Sequence, residues 1–134
     1  MRFLLPLLAF SVGSLLFLSA CSSETEVPEN LVEAVQQHHA NNEFEQAFEL
    51  LRNTNEEEPY FKDLVFATHM NYALYLTYEA ETVTMTERMP NALRHFRRVL
   101  ELDPDNDRVK AEIALIEGIY QQMGRPIPEG VAEL

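Results

Sequence analysis

Histidine and methionine are the residues of this sequence that could bind a soft metal ion. Five side chains offer the imidazole and thioether groups that Cu(I) prefers, and they are His69, Met70, Met85, Met89 and His95. Methionine is more often a flexible core residue, so we expect these side chains to be packed and to hold no cofactor. His38 and His39 are adjacent, and on a helix neighbouring side chains point about 100° apart. We expect His38 on the apolar face of its helix, His39 facing elsewhere, and no metal at either.

Three arginines form a basic cluster in an acidic sequence, and they are Arg94, Arg97 and Arg98. Arg94 and Arg98 lie one helical turn apart, which is the spacing of a fork for an anion or a carboxylate. Such a fork would contact an acidic partner or a phospholipid headgroup. The alternative is ordinary ion pairing at the surface, for example between Arg97 and Glu101.

Motifs of known catalytic sites are absent from the sequence. It contains no G-x-S-x-G, no H-E-x-x-H and no phosphate-binding loop, and it has only 4 glycines. We therefore expect a protein that is not an enzyme and that takes no small-molecule substrate. The formal net charge of −12 also disfavours nucleic acid as a partner, because binding to phosphates depends on cations.

The only cysteine, Cys21, follows an apolar segment at the start of the chain. After Arg2, residues 3–18 carry no charge, and the segment ends in Leu18-Ser19-Ala20-Cys21. This ending resembles the lipobox of bacterial lipoproteins, which implies removal of residues 1–20 and attachment of lipid, palmitate included, to Cys21. Two alternatives stay open. An ordinary secretory signal needs no cysteine, and an uncleaved membrane anchor needs about 20 apolar residues.

The residue after the cysteine is Ser22, whereas lipoproteins kept in the inner membrane of many Gram-negative bacteria resemble one another in having aspartate there. The resemblance therefore implies the outer membrane, with the domain facing the periplasm, if the host is Gram-negative. The mature chain would have 114 residues and a formal charge of −13, because Arg2 leaves with the signal. A body this acidic has no polybasic patch for membrane binding, so its anchor must be covalent.

Helical periodicity begins after a polar segment. Residues 21–30 are polar and acidic and indicate a flexible tether, and residues 31–134 have apolar positions at helical spacing without an alternating strand. The sequence therefore predicts an all-α domain. Five helices are predicted at residues 28–40, 43–52, 60–81, 91–102 and 107–123, and a loop at residues 82–90. The third helix is apolar on nearly every side, which is typical of a helix buried between neighbours.

Two of these helices share a pattern of small, bulky and turn residues. Ala92, Phe96 and Pro104 follow one another at spacings of 4 and 8, and Ala47 and Leu51 repeat the first two places. This pattern resembles the second helix of the tetratricopeptide repeat, in which a small residue lies where two helices cross. The fifth helix resembles the first helix of a further repeat, through Ile116, Tyr120 and Gly124.

The resemblance implies a short α-solenoid of two divergent repeats and a C-terminal capping helix. The first repeat lacks the family's signature aromatic and glycine and has Leu31 and Val35 instead. In the second repeat, Ala73 is the close-packed position of the first helix, and it lies 19 residues before Ala92, where the family has about 12. We therefore predict an insertion of about seven residues within the loop at residues 82–90.

In the tetratricopeptide family the first helix of each repeat lines the partner-binding surface. Carried over to this chain, that surface would consist of Gln36, His39, Met70, Leu74, Tyr78, Gln121 and Gln122. The resemblance thus implies a membrane-anchored cell-envelope lipoprotein that acts as a non-enzymatic adaptor for a protein partner. The alternative is a constitutive structural subunit of a larger envelope complex for assembly, secretion or pilus formation, because about three repeats are the usual minimum for independent stability.

Overall fold

The computed structural model describes residues 30–134. Helix is the only regular structure in that range, so the predicted all-α class is confirmed. The predicted signal segment, Cys21 and nearly all of the predicted tether lie outside the described residues. The five helices are α1 Leu31–Ala40, α2 Phe44–Arg52, α3 Phe61–Tyr78, α4 Met85–Leu102 and α5 Asp107–Gln122.

Each helix packs against the next along the chain, and α1 also packs against α3. The buried residues form two clusters. The N-terminal cluster joins α1, α2 and the first half of α3, through Val35, Leu50, Leu51, Phe61, Leu64 and Val65. The C-terminal cluster joins the second half of α3 to α4 and α5, and its largest fully buried members are Leu93, Phe96, Val99, Val109 and Ile116. Helix α3 therefore contributes to both clusters, as its apolar sequence predicts.

Three small residues are packed between the helices. Ala47, Ala73 and Ala92 are all fully buried. The spacing between the first helices of the hairpins is uneven. No Cα atom of α3 lies within 8 Å of one in α5, whereas α1 and α3 do approach within that distance. The distance between successive first helices is therefore not constant along the described helices.

The predicted loop at residues 82–90 is wrong for most of its length. Helix α3 ends at Tyr78, and α4 begins at Met85 and continues through Pro90. A proline inside a helix costs about 3 kcal/mol, and two tertiary contacts offset this cost. Met89 is buried in the C-terminal cluster, and the Arg88 guanidinium donates to the last carbonyl groups of α3. The extra residues therefore lengthen the α3–α4 hairpin by more than one turn.

Local hydrogen bonds fix both ends of α5. The Asn106 side chain accepts from the Val109 amide at 3.1 Å, which makes it the N-cap. At the other end, Gly124 has φ of 62°, and the Arg125 amide donates to the Tyr120 carbonyl at 3.0 Å. This is the Schellman arrangement, in which glycine ends a helix with a left-handed residue. Both ends agree with the sequence prediction.

Residues 125–134 run back across α4 after this turn; we call them the C-terminal strap. Ile127 packs on the C-terminal cluster and Leu134 packs on the N-terminal cluster. Between these anchors, the Ala132 amide donates to the Arg94 carbonyl at 3.1 Å. The strap therefore connects the two clusters. Among residues 30–134, no helix is long and apolar enough to cross a membrane.

The same substitution at two glycines should have opposite effects on stability. Gly118 lies inside α5 with open space where a Cβ would be, so Gly118→Ala should raise the free energy of unfolding by about 0.5–1 kcal/mol. Gly124→Ala should lower it by about 1 kcal/mol or more, because alanine rarely adopts a positive φ. Urea denaturation of both variants measures the difference. Equal effects would contradict the Schellman arrangement.

Candidate functional site

Two histidines from different helices meet inside the protein. His69 on α3 is fully buried, and its Nδ1 lies 2.8 Å from Nδ1 of His95 on α4. The Phe48 ring from α2 lies 4.7 Å from the His69 ring and 5.4 Å from the His95 ring. The Tyr72 ring meets His95 edge-on at 4.8 Å. The pair thus belongs to an aromatic layer between α2, α3 and α4.

Burial keeps this histidine pair neutral. Burial lowers the pKa of His69 most, positive charge on His95 or Arg98 lowers it in the same direction, and together they bring it to about 3. Burial together with Arg94 lowers the pKa of His95 to about 4. Both rings are therefore uncharged at pH 7. In the hydrogen bond between them, the Nδ1–H of one ring donates and the Nδ1 of the other accepts. His69 Nε2 has no hydrogen-bond partner among the described residues.

The five residues considered for soft-metal binding do not meet at one point. Met70 lies in the C-terminal cluster, whereas Met85 and Met89 line a small apolar pocket with Met123. The two histidines are in direct contact through their Nδ1 atoms. Within residues 30–134, no group of three or more His, Cys, Asp or Glu side chains is arranged to hold a metal ion.

A cavity of about 510 Å³ opens between α2, α4 and the C-terminal strap. His95 and Phe48 form the part of its wall that adjoins the aromatic layer. Its charged residues have both signs, because two arginines come from the helices while carboxylates come from α2 and the strap. They are Arg52, Arg94, Glu45, Glu129 and Glu133.

Among the described residues, the arginine cluster shows the ion pairing that was the alternative to an anion fork. Arg98 donates to Glu101 at 2.7 Å. The expected pair of Arg97 with Glu101 is wrong, because Glu101 is taken by Arg98. Arg97 turns instead toward α5 and the strap, where it donates to Glu117 at 3.1 Å. Helix geometry allows both i,i+3 and i,i+4 pairs, and the strap selects between them.

Arg97 is the main polar contact of the strap. Its Nη1 donates to the Pro128 carbonyl at 2.7 Å and to the Gly130 carbonyl at 3.2 Å. Arg94 instead faces the cavity. The basic residues at this side of the molecule are therefore Arg52, Arg94 and Arg97. The sequence offered no signal for Arg52, which lies in a different helix and far from the other two in the chain.

The predicted partner-binding residues divide into exposed and packed groups. Gln36, Gln121 and Gln122 are exposed, and Tyr78 is 55% exposed with its hydroxyl donating to Glu112 at 2.6 Å. These four side chains are accessible to a partner.

The other predicted surface residues are not free. Met70 is only 9% exposed and belongs to the core, so its assignment to a surface is wrong. Leu74 is partly buried against the C-terminal cluster. His39 is turned toward α3, where its Nε2 lies 2.9 Å from the Thr68 hydroxyl. For Met70 and Leu74 the reason is the register of the second repeat, because α3 is apolar on several faces and its pattern does not select one.

The two adjacent histidines of α1 have exchanged the expected positions. His38, predicted on the apolar face, is half-exposed and lies 2.9 Å from a Glu43 carboxylate oxygen. His39, predicted to face elsewhere, lies at the α1–α3 contact, and burial lowers its pKa. Its ring also lies 5.7 Å from Phe44. The contact with Thr68 on α3 determines which way His39 faces, and the periodicity of α1 alone does not predict it.

Comparisons with family models, with curated proteins and with solved structures found no match to this chain.

The histidine pair should make stability depend on pH. Below pH 6.5 the unfolded chain binds protons at these rings, whereas the folded chain binds them only near pH 4 and below. The free energy of unfolding should therefore be level above pH 6.5. It should fall as the pH drops toward 4, by up to about 1.4 kcal/mol per pH unit for each imidazole.

Denaturation by urea at pH values between 7.5 and 4.5 measures this slope. The variant His69→Phe/His95→Phe removes both rings and should show a clearly smaller slope over the same range. Ring-proton NMR of the wild-type protein provides an independent check. Midpoints near 6.5 for both rings, or equal slopes for the two proteins, would contradict the neutral buried pair.

Proposed function

We propose that this chain is a membrane-anchored cell-envelope lipoprotein that binds a protein partner and has no enzymatic activity. The single observation that carries the binding role is Tyr78. It is an aromatic side chain at the end of a well-packed helix, it is largely exposed, and the Glu112 carboxylate orients its hydroxyl. Aromatic anchors that are fixed before binding lose little conformational entropy when a partner covers them.

The proposed anchor depends on Cys21 and on the segment that precedes it. The run of uncharged residues and the ending Leu18-Ser19-Ala20-Cys21 support lipid attachment, and Ser22 supports the outer membrane of a Gram-negative host. Residues 22–29 would then act as the tether. The surface that we propose for the partner comprises Tyr78 with the exposed side chains of Gln36, Gln121 and Gln122, on the first helices of the tetratricopeptide-like hairpins.

A second candidate is a constitutive structural subunit of a larger envelope complex. The exposed apolar side chains of the last helix favour it, because Leu115 is 52% exposed and Met123, which follows α5, is 53% exposed. A terminal helix of a repeat protein usually has a polar outer face. The two candidates differ in the stability of the isolated domain. Residues 22–134 without lipid should melt cooperatively as a monomer if the protein is an adaptor, and should aggregate if it is an obligate subunit.

Cys21→Ala should abolish lipid attachment. In a bacterial host, metabolic labelling with a palmitate analogue should label the wild-type chain and the control Ser22→Ala but not Cys21→Ala. The wild-type chain should also fractionate with membranes, because two or three acyl chains give stable attachment. Labelling of Cys21→Ala, or an unlabelled wild-type chain, would contradict the lipoprotein proposal.

Tyr78→Ala should reduce partner capture. Crosslinking in native membranes followed by mass spectrometry should identify a protein recovered with the wild-type chain, and its yield should fall at least tenfold with Tyr78→Ala. The matched control is Tyr60→Ala, because Tyr60 is also exposed, at 67%, but lies before α3 at the opposite end of the helix. Equal losses with both variants, or no loss with Tyr78→Ala, would contradict the proposed surface.

A further inference from the structure

The C-terminal strap occupies a groove on the outer side of α2 and α4. It has no regular secondary structure, and its hydrogen bonds to the helices use its main chain. The carbonyl groups of Pro128 and Gly130 accept from the Arg97 guanidinium, and the Ala132 amide donates to the Arg94 carbonyl. Main-chain contacts of this kind need no particular side chain, except that the position of Gly130 has φ of 99° and favours glycine. Another segment could therefore make the same hydrogen bonds.

The groove is basic when its own residues are considered without the strap. Arg52, Arg94 and Arg97 lie along it, and the acidic residues of the helices are Glu45 and Glu117. Arg97 pairs with Glu117, whereas Arg52 and Arg94 form no ion pair with any described residue. The basic character is an exception in a chain with a formal charge of −12.

The strap adds two carboxylates to this basic groove, Glu129 and Glu133, and both line the cavity. The strap fills the groove incompletely. About 510 Å³ stays open beside it, which is within the usual size of a ligand pocket. Ala132 is a small residue in this lining, so a segment with a larger side chain in its place would fill more of the space.

We propose that the α2–α4 groove is a binding site for an acidic segment of a partner protein, and that the strap occupies it when the partner is absent. This inference rests on one part of the proposed function, namely that the chain binds a protein partner. The groove is distinct from the surface around Tyr78. An attached segment has an effective concentration of the order of millimolar, so the partner segment must bind better than the strap, which the unfilled cavity allows.

The experiment uses the full chain, purified in detergent, and two fluorescent peptides. One has the sequence of residues 125–134, and the other is the same peptide with both glutamates replaced by glutamine. The acceptor is the chain with Glu129→Gln/Glu133→Gln, whose own strap is a weaker competitor. Fluorescence anisotropy should show saturable binding of the acidic peptide, at least tenfold tighter than binding of the glutamine peptide. The affinity should fall at 0.5 M salt because exposed charges are screened.

A variant pair separates the groove from overall charge. In the same acceptor, Arg52→Gln/Arg94→Gln should weaken binding of the acidic peptide at least tenfold. The matched control Arg108→Gln/Lys110→Gln removes two cations from α5, outside the groove, and should leave the affinity within twofold. Circular dichroism melting of each variant should give the wild-type transition. If the groove variant alone is unfolded, Arg94→Lys takes its place. It keeps the charge but loses the planar guanidinium, and it should weaken binding severalfold.

Four results would overturn the proposal: equal affinity for the two peptides, no saturable binding at millimolar peptide, equal loss in the groove and control variants, or no loss in either. A lipid ligand would be indicated instead if vesicles of anionic phospholipid bound the acceptor through the same arginines and displaced the peptide. Exchange of straps between two copies of the chain would be indicated if the wild-type chain were a dimer and the groove variant were a monomer. None of these outcomes depends on Cys21 or Tyr78, so the proposed function is tested separately.

Discussion

The close packing of α3 against α4 is the contact on which the rest of the structure depends. Ala73 on α3 and Ala92 and Phe96 on α4 are all fully buried in the C-terminal cluster. Because α4 also supports α5 and the C-terminal strap, a larger residue at either alanine would displace three elements at once. The energy of such a core lies in many small dispersion contacts, which require close packing. The positions of the residues around Tyr78 and in the α2–α4 groove therefore depend on the packing of α3 against α4.

The same helix pair places two imidazoles where only uncharged rings are tolerated. His69 and His95 satisfy each other through Nδ1, and aromatic rings surround them. A neutral hydrogen-bonded pair costs much less than a buried charge, but it also constrains α2, α3 and α4 to one arrangement. On the outer side of α4, arginines serve a different role. There Arg97 is near water, and it holds the strap through the Pro128 and Gly130 carbonyl groups.

Apolar periodicity predicted the number of helices well, because it reports which side of each helix is removed from water. It did not predict where α4 begins. Pro90 and the weak helix formers before Met85 are local signals, whereas the helix there is held by Met89 and Arg88 through contacts with α3. The histidine pair and the groove could not be predicted from the sequence for a related reason. Their residues lie far apart in the chain, and the residues next to each one in the sequence do not show which distant residue it will contact.

The C-terminal strap changes how a stack of helices would lose its structure. In a linear array each hairpin contacts only its neighbours, so an end can fray without disturbing the far end. Here Leu134 lies on the cluster that contains Val35, so the last residue described covers part of the first hairpin. Fraying at one terminus would uncover apolar surface at the other. The strap thus couples the two ends of the array into one cooperative unit, and its release would be felt along the whole domain.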